Sequence, residues 1–276
     1  MGIAVRRAAS MALAGLLVAG IAACGGDDSD DADEDSSGSG SSSAPADEAT
    51  GDGSEPDLDT FCEGFIALDE AFAAAPEDPA DLEAYMADSV MPVAEETRDN
   101  VPEELAEPVG VMFEALDTVA ATGDFAAFDD PGFTDAQAEV YGGLADTCGY
   151  QEVTATAVDY GYQGVPATLE AGPTVFVIDN QSAAGEAHEI GVARIADGVT
   201  ETGEQLLALP EEEAFTKLEI AGGAFAPAGG TSGVSMDLAP GRYLYACFIP
   251  TGSVGDQEGT GAPHFTAGMW GEFTVS

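Results

Sequence analysis

Apolar and polar positions divide the chain into two parts with different periods. Over residues 57–150 apolar residues recur every three to four positions, which is the period of an amphipathic helix. The clearest run is Phe61, Phe65, Leu68 and Phe72. This pattern predicts a small all-α domain over residues 57–150.

Capping and breaking residues divide this region into four predicted helices. Asp, Glu and Thr are typical at helix starts, and proline is tolerated only in the first turn. The predicted boundaries are Pro76 as the end of the first helix, Asp78-Pro79 as the start of the second, Val101-Pro102-Glu103-Glu104 as the start of the third, and a capping box at Thr134-Asp135-Ala136-Gln137 for a last helix that ends near Cys148-Gly149. Pro92 and Pro108 are expected to kink or shorten their helices.

From Gln151 onwards the helical period disappears, and Gly, Thr, Val and Tyr become frequent. Short apolar runs separated by turn residues predict about eight strands, the number typical of a Greek-key β-sandwich. They are Val153–Val158, Ala167–Leu169, Thr174–Asn180, Glu189–Ile195, Leu218–Ile220, Gly233–Leu238, Arg242–Phe248 and Glu272–Val275. Residues 201–209 predict a short helix, and Ala239-Pro240-Gly241 predicts a hairpin turn. The fold class expected is therefore multi-domain, with an all-α domain followed by an all-β sandwich over residues 151–276.

The first twenty-three residues have the pattern of an export signal. Arg6 and Arg7 precede the apolar run Met11–Ala23, which is too short to span a membrane comfortably. Ile21-Ala22-Ala23-Cys24 resembles a bacterial lipobox, in which the cysteine becomes the lipidated first residue of the mature protein. The alternative is an ordinary secretory signal, which would leave Cys24 as a spare thiol. The lipobox predicts a lipid-anchored protein outside the cytoplasm.

Residues 24–56 consist almost entirely of Asp, Glu, Ser, Gly and Ala. Such a segment cannot bury enough apolar surface to fold, so it predicts a disordered stalk.

The chain is strongly acidic, with 52 Asp and Glu against 6 Lys and Arg. Because nucleic acids and anionic membrane surfaces repel such a charge, neither is an expected partner. Two interpretations remain: an acidic surface suited to high salt, or a docking surface for a basic protein partner.

The four cysteines fall into three groups. Cys24 is the predicted lipidation site, and Cys62 and Cys148 bracket the helical region and can pair as a disulfide. Cys247 remains unpaired at the end of a predicted strand. A free thiol on an exported protein is expected to be buried or to bind a ligand.

Near Cys247 the sequence offers further soft donors. The two histidines of the chain, His188 and His264, lie in the C-terminal half, and Met269 follows the second. A thiolate, two imidazoles and a thioether are the donors that select copper in a trigonal site with a weak axial methionine.

The segment Gly241–Ser276 resembles the copper loop of plastocyanin- and azurin-like cupredoxins. The family pattern is Pro-Gly, Tyr-x-x-x-Cys, Pro-His-x-x-x-Gly-Met-x-Gly and a final strand. The matching residues are Pro240-Gly241, Tyr243 to Cys247, Pro263-His264, Gly268-Met269 and Gly271. The family has only a few residues between the cysteine and the second histidine, whereas sixteen residues separate Cys247 from His264.

The resemblance implies a type 1 copper site that cycles between Cu(I) and Cu(II). Cys247, His188 and His264 would be the equatorial ligands and Met269 the axial one. His264 would be the more exposed ligand and the route by which electrons leave. The protein would then be a lipid-anchored electron carrier of the cell envelope and not an enzyme, with the membrane and redox proteins as its partners.

Several alternatives remain open. A cupredoxin-like module could store or deliver copper, or it could serve adhesion without a metal. Zinc could be bound by His188, Cys247 and His264. A serine hydrolase is disfavoured because the sequence lacks Gly-x-Ser-x-Gly, and a multicopper oxidase would need many more histidines.

Overall fold

A computed structural model of the chain describes residues 56–76, 78–255 and 257–276. The predicted leader, the lipobox at Cys24 and almost all of the predicted stalk lie outside these residues. A helical region comes first and a β-region follows, as the sequence predicts. The described α-helices are α1 (Leu58–Ala73), α2 (Pro79–Tyr85), α3 (Met91–Arg98), α4 (Ala106–Thr122), α5 (Pro131–Cys148), α6 (Gly203–Leu207) and α7 (Glu211–Ala214).

The first helix begins directly after its N-cap, Asp57. The Asp57 side chain accepts hydrogen bonds from the amides of Asp59 and Thr60 at 3.1 and 3.2 Å, which satisfies two N–H groups that the helix itself cannot. Pro92 lies in the first turn of α3, directly after a π-helical turn at Met86–Val90. The backbone is helical on both sides of this position, because Tyr85, Val90 and Met91 all have the right-handed α conformation, so the π-helical turn is the local irregularity that accompanies the proline.

The predicted capping box at Thr134 is wrong. The helix α5 already begins at Pro131, and its N-cap is Asp130, whose side chain accepts from the amide of Gly132 at 2.7 Å. The Thr134 amide donates to the Asp130 carbonyl at 3.2 Å, so Thr134 lies within the helix. An Asp-Pro pair is thus the stronger start signal here. The predicted end is correct, with Gly149 in the left-handed conformation (φ 68°) as the C-cap.

The β-region is a sandwich of two sheets. One sheet has the order β2-β1-β4-β7 and the other the order β3-β9-β8-β5-β6, and the chain passes between the sheets several times. The strands are β1 (Gln151–Val158), β2 (Gly161–Gln163), β3 (Thr168–Leu169), β4 (Gly172–Asn180), β5 (His188–Ile195), β6 (Leu218–Ala226), β7 (Thr231–Leu238), β8 (Gly241–Ala246) and β9 (Trp270–Val275). The three-residue strand β2 and the short helix α7 escaped the sequence analysis.

The turn at residues 239–241 does not form the predicted hairpin. It joins β7 to β8, and these strands belong to different sheets. The strand β7 pairs with β4, whereas β8 pairs with β5 and β9. The predicted turn is therefore present, but it connects strands of two different sheets.

Two large apolar cores share the strand β4, because its side chains point alternately to the two faces of its sheet. Val175 and Val177 pack with the helices, in a cluster that contains Phe65 and Tyr141. Phe176 and other side chains of the opposite face fill the space between the sheets. The helical region therefore packs on the outer face of one sheet of the sandwich.

A disulfide joins Cys62 on α1 to Cys148 at the end of α5. It links the first and last helices of the helical region. Within the described part of the chain, none of the helices combines the length and apolar character needed to cross a lipid bilayer.

Candidate metal centre

Three of the four predicted metal ligands meet in the interior of the sandwich. The Nδ1 atoms of His188 and His264 are 3.1 Å apart, and the Cys247 Sγ atom lies 3.3 Å from the His264 Nδ1 atom. The donor atoms of all three residues lie within 4.8 Å of one another. Each side chain has zero solvent exposure.

The topology of one sheet brings these residues together. His188 is the first residue of β5, and Cys247 directly follows the last residue of β8. Since β5 and β8 are antiparallel, the start of one lies beside the end of the other. His264 begins a 3₁₀ turn, His264–Ala267, that leads into β9 at the same end of the sheet.

The sixteen residues between Cys247 and His264 form a loop that closes at its base. The Thr251 amide and hydroxyl both donate to the Ala262 carbonyl, at 3.0 and 2.8 Å. The His264 amide donates to the Ile249 carbonyl at 3.0 Å. The loop therefore leaves and re-enters the sandwich at neighbouring points. The long separation in sequence does not prevent the two ligands from meeting.

Two sides of the triangle of donor atoms, both at His264 Nδ1, have lengths that suit one metal ion. With metal–nitrogen distances of about 2.0–2.1 Å and a metal–sulfur distance of about 2.3 Å, the 3.1 Å separation of the two Nδ1 atoms and the 3.3 Å separation of Cys247 Sγ from His264 Nδ1 each give an angle of about 100° at the metal. Angles of this size belong to tetrahedral and trigonal sites. Two imidazoles and a thiolate with a nearby methionine are donors that point to copper.

The Nδ1 atom of His264 is available to a metal because of Glu186. The other ring nitrogen of His264, Nε2, lies 2.7 Å from the Glu186 Oε2 atom. Burial would raise the pKa of Glu186, but hydrogen bonds from Gly252, His264 and Tyr160 lower it below its ordinary value. The carboxylate is therefore the acceptor and Nε2–H the donor, which leaves a lone pair on Nδ1.

His188 is the second imidazole of the centre. Burial, together with the neighbouring His264, lowers the pKa of His188 to about 4, so its ring is neutral near pH 7. Its Nε2 atom is buried without a hydrogen-bond partner among the described residues. The facing Nδ1 atoms, 3.1 Å apart, therefore either share a proton in a hydrogen bond or bind a cation between them.

Cys247 is a thiol that a bound cation would convert to a thiolate. Burial, reinforced by the nearby Glu189 carboxylate, raises the pKa of the Cys247 thiol. The Glu189 amide points at its sulfur, at 3.5 Å. An inert buried thiol would need no neighbouring imidazole, whereas a metal site does.

Met269 is fully buried in the same core cluster as Cys247. Its carbonyl accepts from the Cys247 amide at 3.1 Å, and its amide donates to the His264 carbonyl at 3.3 Å. The main chain of Met269 is thus tied to two of the three converging residues. Its role as the axial ligand stays a prediction.

The expected exposure of His264 is wrong. The ring has zero exposure, and the Tyr160 ring covers it edge-on at a centroid distance of 5.0 Å. The Glu186 carboxylate lies against the Nε2 atom of this ring, and Gly252 hydrogen-bonds the same carboxylate from the loop 249–263, which is part of the segment between Cys247 and His264. The sequence pattern could not show this, because the cover comes from residues that are distant in the chain.

Three residues that contact the centre escaped the sequence analysis. They are Tyr160, Glu186 and Tyr162, whose hydroxyl donates to the carbonyl of Glu189, the residue after His188. In a chain with 52 acidic residues, Glu186 does not stand out by its residue type. The one cue in the sequence was its position two residues before His188.

A comparison with protein-family models gives no match to the chain, and a comparison with curated protein sequences gives none. Among solved structures, auracyanin B is 22% identical, with 46% of this chain and 88% of that chain covered and a TM-score of 0.30. The dithionite-reduced auracyanin of Roseiflexus castenholzii is 18% identical, covering 46% and 97%, with a TM-score of 0.30. Auracyanin A, a "blue" copper protein of Chloroflexus aurantiacus, is 20% identical, covering 45% and 99%, with a TM-score of 0.29. The copper hypothesis rests on the donor atoms themselves.

Proposed function

We propose that this protein carries single electrons and that the centre formed by His188, Cys247 and His264, with Met269 as the axial ligand, binds one type 1 copper ion. The observation that carries the proposal is the convergence of two Nδ1 atoms and one Sγ atom, all fully buried, within 4.8 Å. Copper, when bound there, supplies a Cu(I)/Cu(II) couple.

The protein contributes a rigid set of donors. His188 is held at the start of a strand, Cys247 at the end of its neighbour, and His264 by the closed base of the loop. Because the sheet fixes their positions, a change in the charge of the metal requires little movement of the ligands. Burial excludes water, which limits side reactions at the sulfur.

The setting of this activity is also part of the proposal. The lipobox at Cys24 supports anchoring to the outer face of a cell membrane, with the acidic segment 24–56 as a spacer. The acidic surface favours a basic redox protein as the electron donor or acceptor. With no bond made or broken at the centre, the protein acts as a carrier and not as an enzyme.

Titration of the full chain with Cu(II) tests the proposal. We expect an intense visible absorption band from charge transfer between the Cys247 thiolate and copper, with saturation at one equivalent. Cys247→Ala removes the thiolate and should abolish the band. Met236→Leu, which removes a buried sulfur elsewhere in the same core, should leave the band unchanged.

Two other results of the copper titration would contradict the proposal that the protein transfers electrons. Tight binding of Cu(I) with a colourless Cu(II) form would indicate storage or delivery. Failure to bind copper in either oxidation state would leave an interaction module without a metal.

A further inference from the structure

The centre has a carboxylate neighbour that the resemblance to cupredoxins does not imply. Glu186 is 7% exposed, and its two oxygens accept three hydrogen bonds. The Tyr160 hydroxyl donates to Oε1 at 3.0 Å, and Oε2 accepts from the Gly252 amide at 2.9 Å and from His264 Nε2 at 2.7 Å. Every donor comes from a different part of the chain.

The segment that carries Glu186 is itself fixed. The buried Asn180 side chain donates to the Glu186 carbonyl at 2.9 Å and to the Ala226 carbonyl at 3.0 Å. The Ala187 amide donates to the Ser253 carbonyl of the loop at 3.0 Å. The carboxylate therefore has little freedom to leave the ring of His264.

The loop 249–263 takes part in this arrangement. Its Gly252 amide binds the same oxygen that His264 binds. The long segment between Cys247 and His264 therefore contacts the centre through Gly252, whose amide helps to hold the Glu186 carboxylate in place.

We propose that Glu186 is a positioning residue for His264, held by the loop 249–263, and that it sets both the orientation of this ligand and the reduction potential of the centre. The inference rests on the proposed copper site. Accepting the Nε2 proton keeps Nδ1 unprotonated and directed at Cys247 Sγ and His188 Nδ1. The negative charge beside the ligand favours Cu(II) over Cu(I), because the higher positive charge is attracted more strongly.

Two substitutions separate the hydrogen bonds from the charge. In Glu186→Gln the amide oxygen can still accept from His264 and Gly252, while the NH₂ group faces the Tyr160 hydroxyl. In Glu186→Ala all three bonds are lost. Glu170→Gln and Glu170→Ala are the controls, since Glu170 is an exposed carboxylate that follows β3, the strand paired with the far end of β9.

Copper affinity and reduction potential should respond differently in the full chain. Glu186→Ala should raise the Kd for Cu(II) by about 10–100-fold, the usual cost of losing an outer partner of a metal-binding histidine. Glu186→Gln should recover most of that affinity but show a higher reduction potential than the wild type. The Glu170 variants should match the wild type in both measurements.

The outcomes distinguish this inference from the proposed function. If the wild type shows the thiolate–copper band, but Glu186→Ala binds copper as tightly and Glu186→Gln has an unchanged potential, the role of Glu186 is refuted and electron transfer stands. If the wild type shows no such band, the proposed function itself fails. Should Glu186→Ala not fold, the potential of Glu186→Gln decides alone.

Discussion

At the scale of single residues, another carboxylate of interest is Asp69, which is partly buried where the helices meet the sandwich. Asp69 belongs to α1, and its carboxylate accepts from the Tyr141 hydroxyl of α5 at 2.6 Å. It also accepts from the Ser235 amide and hydroxyl of β7, at 2.7 and 2.6 Å. One side chain thus connects three elements.

Asp69 should make the stability of the protein depend on pH. Burial raises the pKa of Asp69 to about 6, although hydrogen bonds from Ser235 and Tyr141 oppose the change and Glu70 adds to it. The unfolded chain has the ordinary pKa of 3.8. Between these values the native state binds more protons than the unfolded state, so the free energy of unfolding falls as pH rises from about 4 to about 6.

We therefore expect Asp69→Asn to remove roughly 1–3 kcal/mol of this pH dependence. Urea unfolding of both proteins at several pH values between 4 and 8 measures the difference. Glu63→Gln, an exposed neutralisation on the same helix, corrects for the general loss of one negative charge. Identical pH profiles for Asp69→Asn and the wild type would show that the carboxyl titrates normally.

At the scale of elements, α5 lies unusually close to β7. A Cβ atom added at Gly233 would stand 2.4 Å from the Tyr141 Cβ atom and 3.1 Å from the Phe176 carbonyl oxygen. No side chain fits there without movement of the helix or the sheet. Glycine at this position is what lets the helix rest on the sheet.

Gly233→Ala should lower the free energy of unfolding by about 1–3 kcal/mol, which is the usual cost of overpacking. Gly142→Ala is the matched comparison, because Gly142 is exposed on α5 and a methyl group added there would meet nothing within 4 Å. That substitution should stabilise the protein by about 0.5–1 kcal/mol, since alanine favours a helix more than glycine does. Urea denaturation of the two variants checks both signs, and equal stability would mean that the contact with Tyr141 is loose.

The elements also show what a sequence can and cannot predict. The helix α1 was predictable because Phe61, Phe65 and Leu68 keep a helical period behind a capping aspartate. The strand β2 was not, because three residues are too few to display a period. The turn at residues 239–241 was visible as a turn, but a local signal cannot tell which sheet the next strand joins.

The candidate site divides in the same way. Its donors could be predicted, because His188, Cys247 and His264 are rare residue types in this chain and fall on one recognisable pattern. The burial of His264 could not, because it depends on how Glu186 and the loop 249–263 fold over the ring. Contacts between segments that are distant in the chain produce no recognisable pattern in the sequence around either segment.

At the scale of the whole molecule, the dominant feature is a formal charge of −46. Each lysine and arginine in the described part of the chain makes at least one ion pair. The pairs are Arg98–Asp117, Arg194–Asp197, Arg194–Glu219, Lys217–Glu201, Lys217–Glu213 and Arg242–Glu272. The cations of this part therefore already have acidic partners, and over the chain the 52 acidic residues far outnumber the 6 basic ones.

Salt should stabilise this protein, because screening reduces repulsion among the carboxylates more than it weakens a few surface ion pairs. The screening length falls from about 30 Å at 0.01 M to about 3 Å at 1 M ionic strength, whereas an exposed ion pair is worth only about 0–1 kcal/mol. We expect the midpoint of urea unfolding at pH 7 to rise steadily with NaCl over this range. Repeating the series near pH 3, where most carboxylates are protonated, provides the control, and the salt effect should become small there. A midpoint at pH 7 that stays constant or falls with salt would show that the acidic groups do not strain the fold, and the high charge would then be better explained by docking to a basic partner.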